Sequence, residues 1–248
     1  MQMRIRIIDY IKFPWFSAGV LIFVLVACSQ SSEAFLEKGR RLMQEQKFTE
    51  ALGFLNKSIE KDAGNAEAFN ARGVAHFELK QYQEANLDYS RAIELRPDFY
   101  KPYYNRAKVK TTQRDLPGAL KDYSEAIRLQ PDSAELYVDR GYVYFESGRF
   151  KEALLDYDKA ILLNPRNPDY YYNRGTVKVR LTDFEGGVAD FRQSVRINSR
   201  YAKGYYSLGM AEIVQKQPEN GCRNLERADR LGYPEAKEAI QTYCQQNP

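Results

Sequence analysis

Two stretches, AEAFNARGVAHFELKQYQEANLDYSRAIELRPDF at residues 66–99 and AELYVDRGYVYFESGRFKEALLDYDKAILLNPRN at residues 134–167, follow one pattern. Each has aromatic residues at its fourth and twenty-fourth places, glycine at its eighth, alanine at its twentieth and twenty-seventh, and proline at its thirty-second. Small residues let two helices approach closely, and aromatic rings fill the space beside them. Because the proline also stops the second helix, each stretch predicts a pair of packed helices.

The pattern recurs at a period of 34 residues without an insertion, which marks a helix–turn–helix array. We expect six repeats within residues 32–233, followed by a capping helix and tail at residues 234–248, with Pro234 in the first turn of that helix. Gly186 and Gly187 inside one second helix cost about 2 kcal/mol relative to two alanines, which predicts a soft joint there. By period, the repeats are 32–65, 66–99, 100–133, 134–167, 168–201 and 202–235.

These units resemble tetratricopeptide (TPR) repeats over about 200 of the 248 residues. The resemblance implies an all-α, right-handed superhelical solenoid of six helix–turn–helix repeats plus the C-terminal capping helix. It also implies a chain that binds one or more proteins or peptides, and neither an enzyme nor a cofactor-binding protein.

In TPR families the first helices line the concave surface through places 2, 5, 6, 9, 12 and 13 of each repeat. We expect about half of the tyrosines that this mapping selects to be exposed. The carboxylate clamp of chaperone-binding TPRs is not supported, because Val138, Tyr142 and Ser207 replace three of its polar groups. The mapping gives a partner-binding groove of Lys101, Tyr104, Asn105, Lys108, Asp139, Tyr142, Tyr172, Asn173, Arg180 and Tyr206.

Charged residues recur at two places of the four middle repeats, with Arg at the seventh and Asp at the twenty-third. The two places lie equally far from the turn near place fifteen, so the side chains can lie level on antiparallel helices. Both charges are lost together in the first and last repeats, which favours pairing over independently solvated charges. The residues are Arg72, Arg106, Arg140 and Arg174, with Asp88, Asp122, Asp156 and Asp190.

The beginning of the chain has the features of an export signal. Residues 1–27 combine a basic start with an apolar stretch at 13–27, which is short for a bilayer span. The sequence LVAC that ends at Cys28 resembles the lipobox of bacterial lipoproteins, which implies a lipid on Cys28 and a tether at residues 28–31. An ordinary signal peptide that happens to end in cysteine is the alternative.

The two remaining cysteines, Cys222 and Cys244, can pair in an oxidising compartment. Each stands eleven residues from Tyr233, in the turn between two antiparallel helices, and so at the same height. We expect a disulfide that fastens the cap to the last repeat, with two reduced, buried cysteines as the alternative.

The histidine content and the charge pattern of the sequence argue against several functional classes. His76 is the only histidine, which disfavours a metal site and Ser/His or Cys/His catalysis. A formal charge of +4, with basic and acidic residues alternating throughout, disfavours nucleic-acid binding.

We therefore expect a membrane-anchored scaffold or adaptor in the bacterial cell envelope, exported as a lipoprotein to the outer membrane and facing the periplasm. Two alternatives remain. One is a pilotin-like assembly factor for a pilus or secretion pore, since six-repeat lipoproteins of this size are similar to pilotins. The other is an accessory enzyme subunit or an enzyme with an unrecognised site.

Overall fold

A computed structural model describes residues 31–244, which form thirteen α-helices and no β-strand. The predicted all-α fold class is confirmed. None of the helices within these residues combines the length and the apolarity needed to cross a membrane. The predicted signal peptide at 1–27 and the acylation site at Cys28 lie outside the described residues.

Each first helix begins at the first residue of a 34-residue unit, and each second helix begins at the seventeenth place of that unit, sixteen residues later. The first helices are α1 Ser32–Gln44, α3 Ala66–Glu78, α5 Tyr100–Thr112, α7 Ala134–Glu146, α9 Pro168–Arg180 and α11 Ala202–Val214. The second helices are α2 Phe48–Lys61, α4 Tyr82–Leu95, α6 Leu116–Leu129, α8 Phe150–Leu163, α10 Phe184–Ile197 and α12 Pro218–Arg230. The cap is α13, Ala236–Tyr243. The prediction that Pro234 lies in the first turn of this helix is wrong, because Pro234 precedes the helix by two residues.

Close approach of the two helices within a repeat depends on the small residue at place eight. A Cβ atom added to Gly73 would lie 2.6 Å from Cε1 of Tyr89, which is 1% exposed. The aromatic ring at place twenty-four therefore occupies the space that glycine leaves open. Burial of the Tyr89 ring also raises the pKa of its hydroxyl.

The turn between the two helices has the same backbone in every repeat, with a positive φ at place fifteen. The N–H of place sixteen donates to the carbonyl of place eleven, as from Gln81 to His76 at 2.8 Å, which closes a Schellman motif. Only one of the six residues at place fifteen is glycine, so the turn was not recognisable by composition. They are Gln46, Lys80, Arg114, Gly148, Thr182 and Lys216.

The soft joint that the sequence predicts in the fifth repeat concerns mobility and stays a prediction. Helix α10 runs without a break through Gly186 and Gly187. A Cβ atom on Gly187 would lie 2.6 Å from Cγ2 of Val179 on the preceding helix. The glycine therefore permits close packing of α10 on α9, and the packing offsets its low helix propensity.

The Arg–Asp pairs are confirmed as bridges between the two helices of one repeat. In the fourth repeat, Nε and Nη2 of Arg140 donate to Oδ2 and Oδ1 of Asp156, each at 2.8 Å. Nη1 of the same arginine donates to Ser124 of the preceding repeat at 3.1 Å. The pairing recurs between Arg72 and Asp88, Arg106 and Asp122, and Arg174 and Asp190. Each arginine thus ties its own hairpin together and reaches back to the hairpin before it.

The C-terminal cap is attached by packing and by a covalent bond. Ala236 and Ala239 of α13 are buried, as are Leu225 and Ala228 of α12. A disulfide joins Cys222 to Cys244, whose Cα atoms are 5.7 Å apart. The last repeat therefore has a covered end.

Candidate partner-binding surface

The first helices form a continuous inner face of the array. Neighbouring first helices contact one another, as α1 contacts α3 and α3 contacts α5. Places 5, 9, 12 and 13 of these helices line two clefts, one near each end of the mapped groove.

The larger of these two clefts lies between α9 and α11 and has a volume of about 240 Å³. Most of its lining is apolar or aromatic, and three residues of the predicted groove take part in it. We call it the apolar cleft. Its lining residues are Tyr172, Thr176, Val179, Arg180, Phe184, Phe191, Tyr206, Ser207, Met210, Ala211 and Val214.

Aromatic contacts hold the side chains of the apolar cleft in place. The ring of Tyr172 packs on Phe191 at 5.7 Å and on Tyr201 at 5.8 Å between centroids. The ring of Tyr206 packs on Tyr233, in the turn before the cap, at 4.7 Å. Rings that are already ordered lose little side-chain entropy when a partner binds, so this surface is organised in advance.

Arg180 is the one charged residue of the apolar cleft and is exposed. No acidic side chain within residues 31–244 forms an ion pair with it. Val214 on the opposite rim is 55% exposed. The cleft can therefore take an apolar side chain in its floor and a carboxylate at its rim.

The second cleft, which we call the charged cleft, lies between α3, α5 and α7 and has a volume of about 190 Å³. Lys108 and Asp139 of the predicted groove face it, and Tyr142 is 47% exposed beside them. Burial raises the pKa of the Asp139 carboxyl. The lining also includes Phe77, Thr111, Thr112 and Tyr123.

Four residues of the predicted groove line neither cleft. The Tyr104 hydroxyl donates to Oε1 of Glu135 at 2.6 Å, and the Asn105 amide donates to Asn70 at 2.9 Å, so both join successive first helices. Lys101 is exposed on α5, and Asn173 is half-buried on α9. The expectation that about half of the groove tyrosines are exposed is wrong, because Tyr142 alone among the four is more than a third exposed.

Several residues of the apolar cleft were missed from the sequence. Three of them lie at places that the mapping already uses: Val179 at place 12, Met210 at place 9 and Val214 at place 13. The mapping would have selected them if apolar residues at these places had been included. Phe184 and Phe191 belong to the second helix α10, which a mapping of first helices cannot reach.

Two other kinds of site were considered from the sequence, a metal site and a carboxylate clamp. Residues 31–244 contain no group of three or more His, Cys, Asp or Glu side chains placed to hold a metal ion. Lys203, which stands at a place that the carboxylate clamp fills with lysine, pairs with Asp169 at 2.9 Å.

Comparison with known proteins identifies the repeat. Family models described as "TPR repeat" match residues 111–148 and 141–181, and one described as "Tetratricopeptide repeat" matches residues 66–99. The predicted TPR repeats are confirmed.

Curated relatives match only a part of the chain. A UDP-N-acetylglucosamine–peptide N-acetylglucosaminyltransferase of Giardia intestinalis is 32% identical over 78 residues, which are 32% of this chain and 5% of that protein. An Hsp70-Hsp90 organizing protein of Triticum aestivum is 27% identical over 84 residues, which are 34% of this chain and 14% of that protein. The chain thus spans a small fraction of either relative.

Among solved structures, that of Pseudomonas aeruginosa pilF superposes with a TM-score of 0.74 at 16% identity. The superposition covers 85% of this chain and 96% of that one. At this identity the likeness shows a shared solenoid fold.

Proposed function

Since this chain is a solenoid of tetratricopeptide repeats, we propose that it is a protein-binding scaffold, not an enzyme, and that it holds a partner segment in the apolar cleft of repeats five and six. TPR domains bind proteins or peptides, and their scaffold is typically non-catalytic. The observation that carries the proposal is the ordered apolar lining with a single unpaired cation, Arg180, at its rim.

The size of the apolar cleft favours a side chain of a protein partner over a small molecule. Its volume of about 240 Å³ lies below the roughly 300–1,000 Å³ of small-molecule sites. Tyrosine and methionine, here Tyr206 and Met210, are enriched at protein interfaces. The partner segment is therefore expected to carry a large apolar side chain with an acidic residue close by.

We also propose that the chain is exported and anchored by a lipid on Cys28, in the outer membrane and facing the periplasm. The support is the basic and apolar order of residues 1–27 and the LVAC sequence. A disulfide between Cys222 and Cys244 fits an oxidising compartment. A pilotin-like role is one specific form of this proposal.

The acylation site is tested by substitution. We expect Cys28→Ala to move the protein from the detergent phase to the aqueous phase, or to leave it as an unprocessed precursor, because the residue that accepts the lipid is gone. Detergent-phase partitioning followed by mass spectrometry of the N-terminal peptide measures both. Cys222→Ser is the matched control, since it removes a cysteine elsewhere. Unchanged partitioning of a Cys28 variant that has lost residues 1–27 would defeat the anchoring proposal.

Partner capture is tested with a photo-crosslinking amino acid in place of Met210 on the cleft floor. The protein is crosslinked in whole cells and recovered from the detergent-solubilised envelope, and the attached peptide is sequenced. We expect a peptide with a large apolar residue and a carboxylate. Adding Val214→Glu should reduce the crosslinked yield at least tenfold, because a carboxylate on this rim repels the acidic residue of the partner and loses water when the partner binds, at a cost of more than about 1.4 kcal/mol.

Thr112→Glu provides the control for this experiment. Thr112 occupies place thirteen of the third repeat, as Val214 does in the sixth, and lines the charged cleft. Loss of the crosslink with Thr112→Glu but not with Val214→Glu would move the binding site to the charged cleft. Recovery of a peptide from the pore protein of a pilus or secretion system would favour the pilotin-like role.

A further inference from the structure

The outer face of the array carries a regular row of exposed side chains. Places 22 and 29 of every second helix are exposed in all six repeats. We call this row the outer ridge. Its members are Gly53 and Glu60, Leu87 and Glu94, Lys121 and Arg128, Leu155 and Leu162, Ala189 and Arg196, and Arg223 and Arg230.

Charge divides the outer ridge into two parts. Repeats one and two contribute the two glutamates and no cation, whereas repeats three to six contribute five cations and no acidic residue. Lys121 and Arg196 form no ion pair within residues 31–244, while Arg128 pairs with Glu125 at 2.6 Å. The basic part therefore keeps unneutralised charge on both sides of α8.

Two leucines stand at the centre of this basic part. Leu155 and Leu162 on α8 are 70% and 75% exposed. Seven residues apart, they project from the same side of the helix, about 10 Å from each other. Two such exposed leucines on one helix face are not explained by packing within the described residues.

We infer that the basic part of the outer ridge docks on an anionic lipid surface. The two leucines enter the boundary between headgroups and acyl chains, and the flanking Lys and Arg side chains meet the lipid phosphates. A protein partner would be a poorer match, because it would have to supply a matching acidic residue for each cation, whereas an anionic lipid surface offers phosphates wherever a cation points. An array lying on a membrane by its outer face leaves the inner face and its clefts open to partners.

This inference goes beyond the proposed scaffold function and does not require a lipid on Cys28. A convex surface lets few side chains reach a flat membrane at once, so binding by the ridge alone is weak. Its expected role is to orient an array that is held near the membrane by other means.

The test uses residues 29–248, which contain the whole helical array with its covered C-terminal end. The protein is sedimented with vesicles of phosphatidylcholine containing phosphatidylglycerol, and with vesicles of phosphatidylcholine alone. We expect binding to the anionic vesicles that weakens as salt is added. Replacing both Lys121 and Arg196 by glutamine should weaken it roughly 25-fold, at about fivefold for each cation removed. Leu155→Ser with Leu162→Ser should weaken it roughly tenfold.

Leu87→Ser is the matched control, because Leu87 occupies place 22 in the acidic part of the ridge and is 71% exposed. It should leave vesicle binding unchanged, and circular dichroism should show every variant folded. The inference is overturned if the chain does not bind anionic vesicles or binds both vesicle types equally. It is equally overturned if Leu87→Ser weakens binding as much as the α8 variant. A ridge variant that loses a protein partner while it binds vesicles normally would make the ridge a protein-docking surface instead. Failure of the Met210 crosslink would leave these vesicle results untouched.

Discussion

Arg140→Met should lower the free energy of unfolding by about 3 kcal/mol, because it leaves a buried carboxylate without its partner. Asp156 is 4% exposed, and both of its oxygens accept hydrogen bonds from Arg140. Urea unfolding followed by circular dichroism measures the loss. Hydrogen exchange should place the weakening in α7 and α8, since repeats of a solenoid are stabilised by their neighbours and can unfold locally.

The same substitution in other repeats provides the matched comparison. Lys110 Nζ lies 2.7 Å from Oδ2 of Asp122, and Lys178 Nζ lies 2.8 Å from Oδ2 of Asp190, so each aspartate keeps one cation when its arginine is removed. In the fourth repeat that place is Tyr144. We therefore expect Arg106→Met and Arg174→Met to cost about half as much. Equal losses in all three repeats would contradict this account.

A double-mutant cycle isolates the pair itself. From the sequence, with partial burial, the expected coupling between Arg140 and Asp156 is about 0.5–1 kcal/mol. The structure raises that expectation to about 2 kcal/mol, because the pair is bidentate and the Arg140 side chain is only 18% exposed. Coupling indistinguishable from zero would show that the two charges do not stabilise each other, as the alternative of independently solvated charges requires.

Gly209→Val should destabilise the last hairpin by about 3 kcal/mol, by overpacking the contact between α11 and α12. A Cβ atom on Gly209 would lie 2.7 Å from the carbonyl oxygen of Gly221 and 2.9 Å from Cγ of Leu225. The backbone of Gly221 cannot move aside by a change of rotamer as a side chain can, so the two helices must separate to admit the valine. Hydrogen exchange should show the loss of protection in α11 to α13. Capture by the apolar cleft should fall as well, since α11 carries Tyr206 and Met210.

Gly53→Ala provides the control, since it changes a helical glycine in open space. Nothing lies within 4 Å of a Cβ atom at Gly53, which is exposed on α2. This substitution should stabilise the chain by about 0.5–1 kcal/mol through backbone entropy and helix propensity. The packing account fails if the two substitutions shift the urea midpoint in the same direction.

The sequence alone determined the period, the starts of the first helices and the partners of the buried aspartates. These features are readable because they repeat. Two kinds of pair recur at fixed places in an array with no insertion. One is a small residue opposite an aromatic ring, such as Gly73 and Tyr89, and the other is an arginine level with an aspartate, such as Arg140 and Asp156. Local spacing sets them, so they need no knowledge of how distant segments meet.

Only the tertiary structure decided where the inner face is open and which glycines serve packing. The apolar cleft draws Phe184 and Phe191 from a second helix and Tyr206 from the next repeat, so it exists only once α9, α10 and α11 are assembled. Helix propensity alone predicts that Gly187 destabilises its helix, yet its lack of a side chain lets α10 pack closely on Val179 of α9. The left-handed turn residue is Thr182 in one repeat and Lys80 in another, because closing the hairpin imposes that backbone whatever the side chain. In each case the contacts between helices contribute more free energy than the conformational preference of the single residue, which is worth about 1 kcal/mol or less.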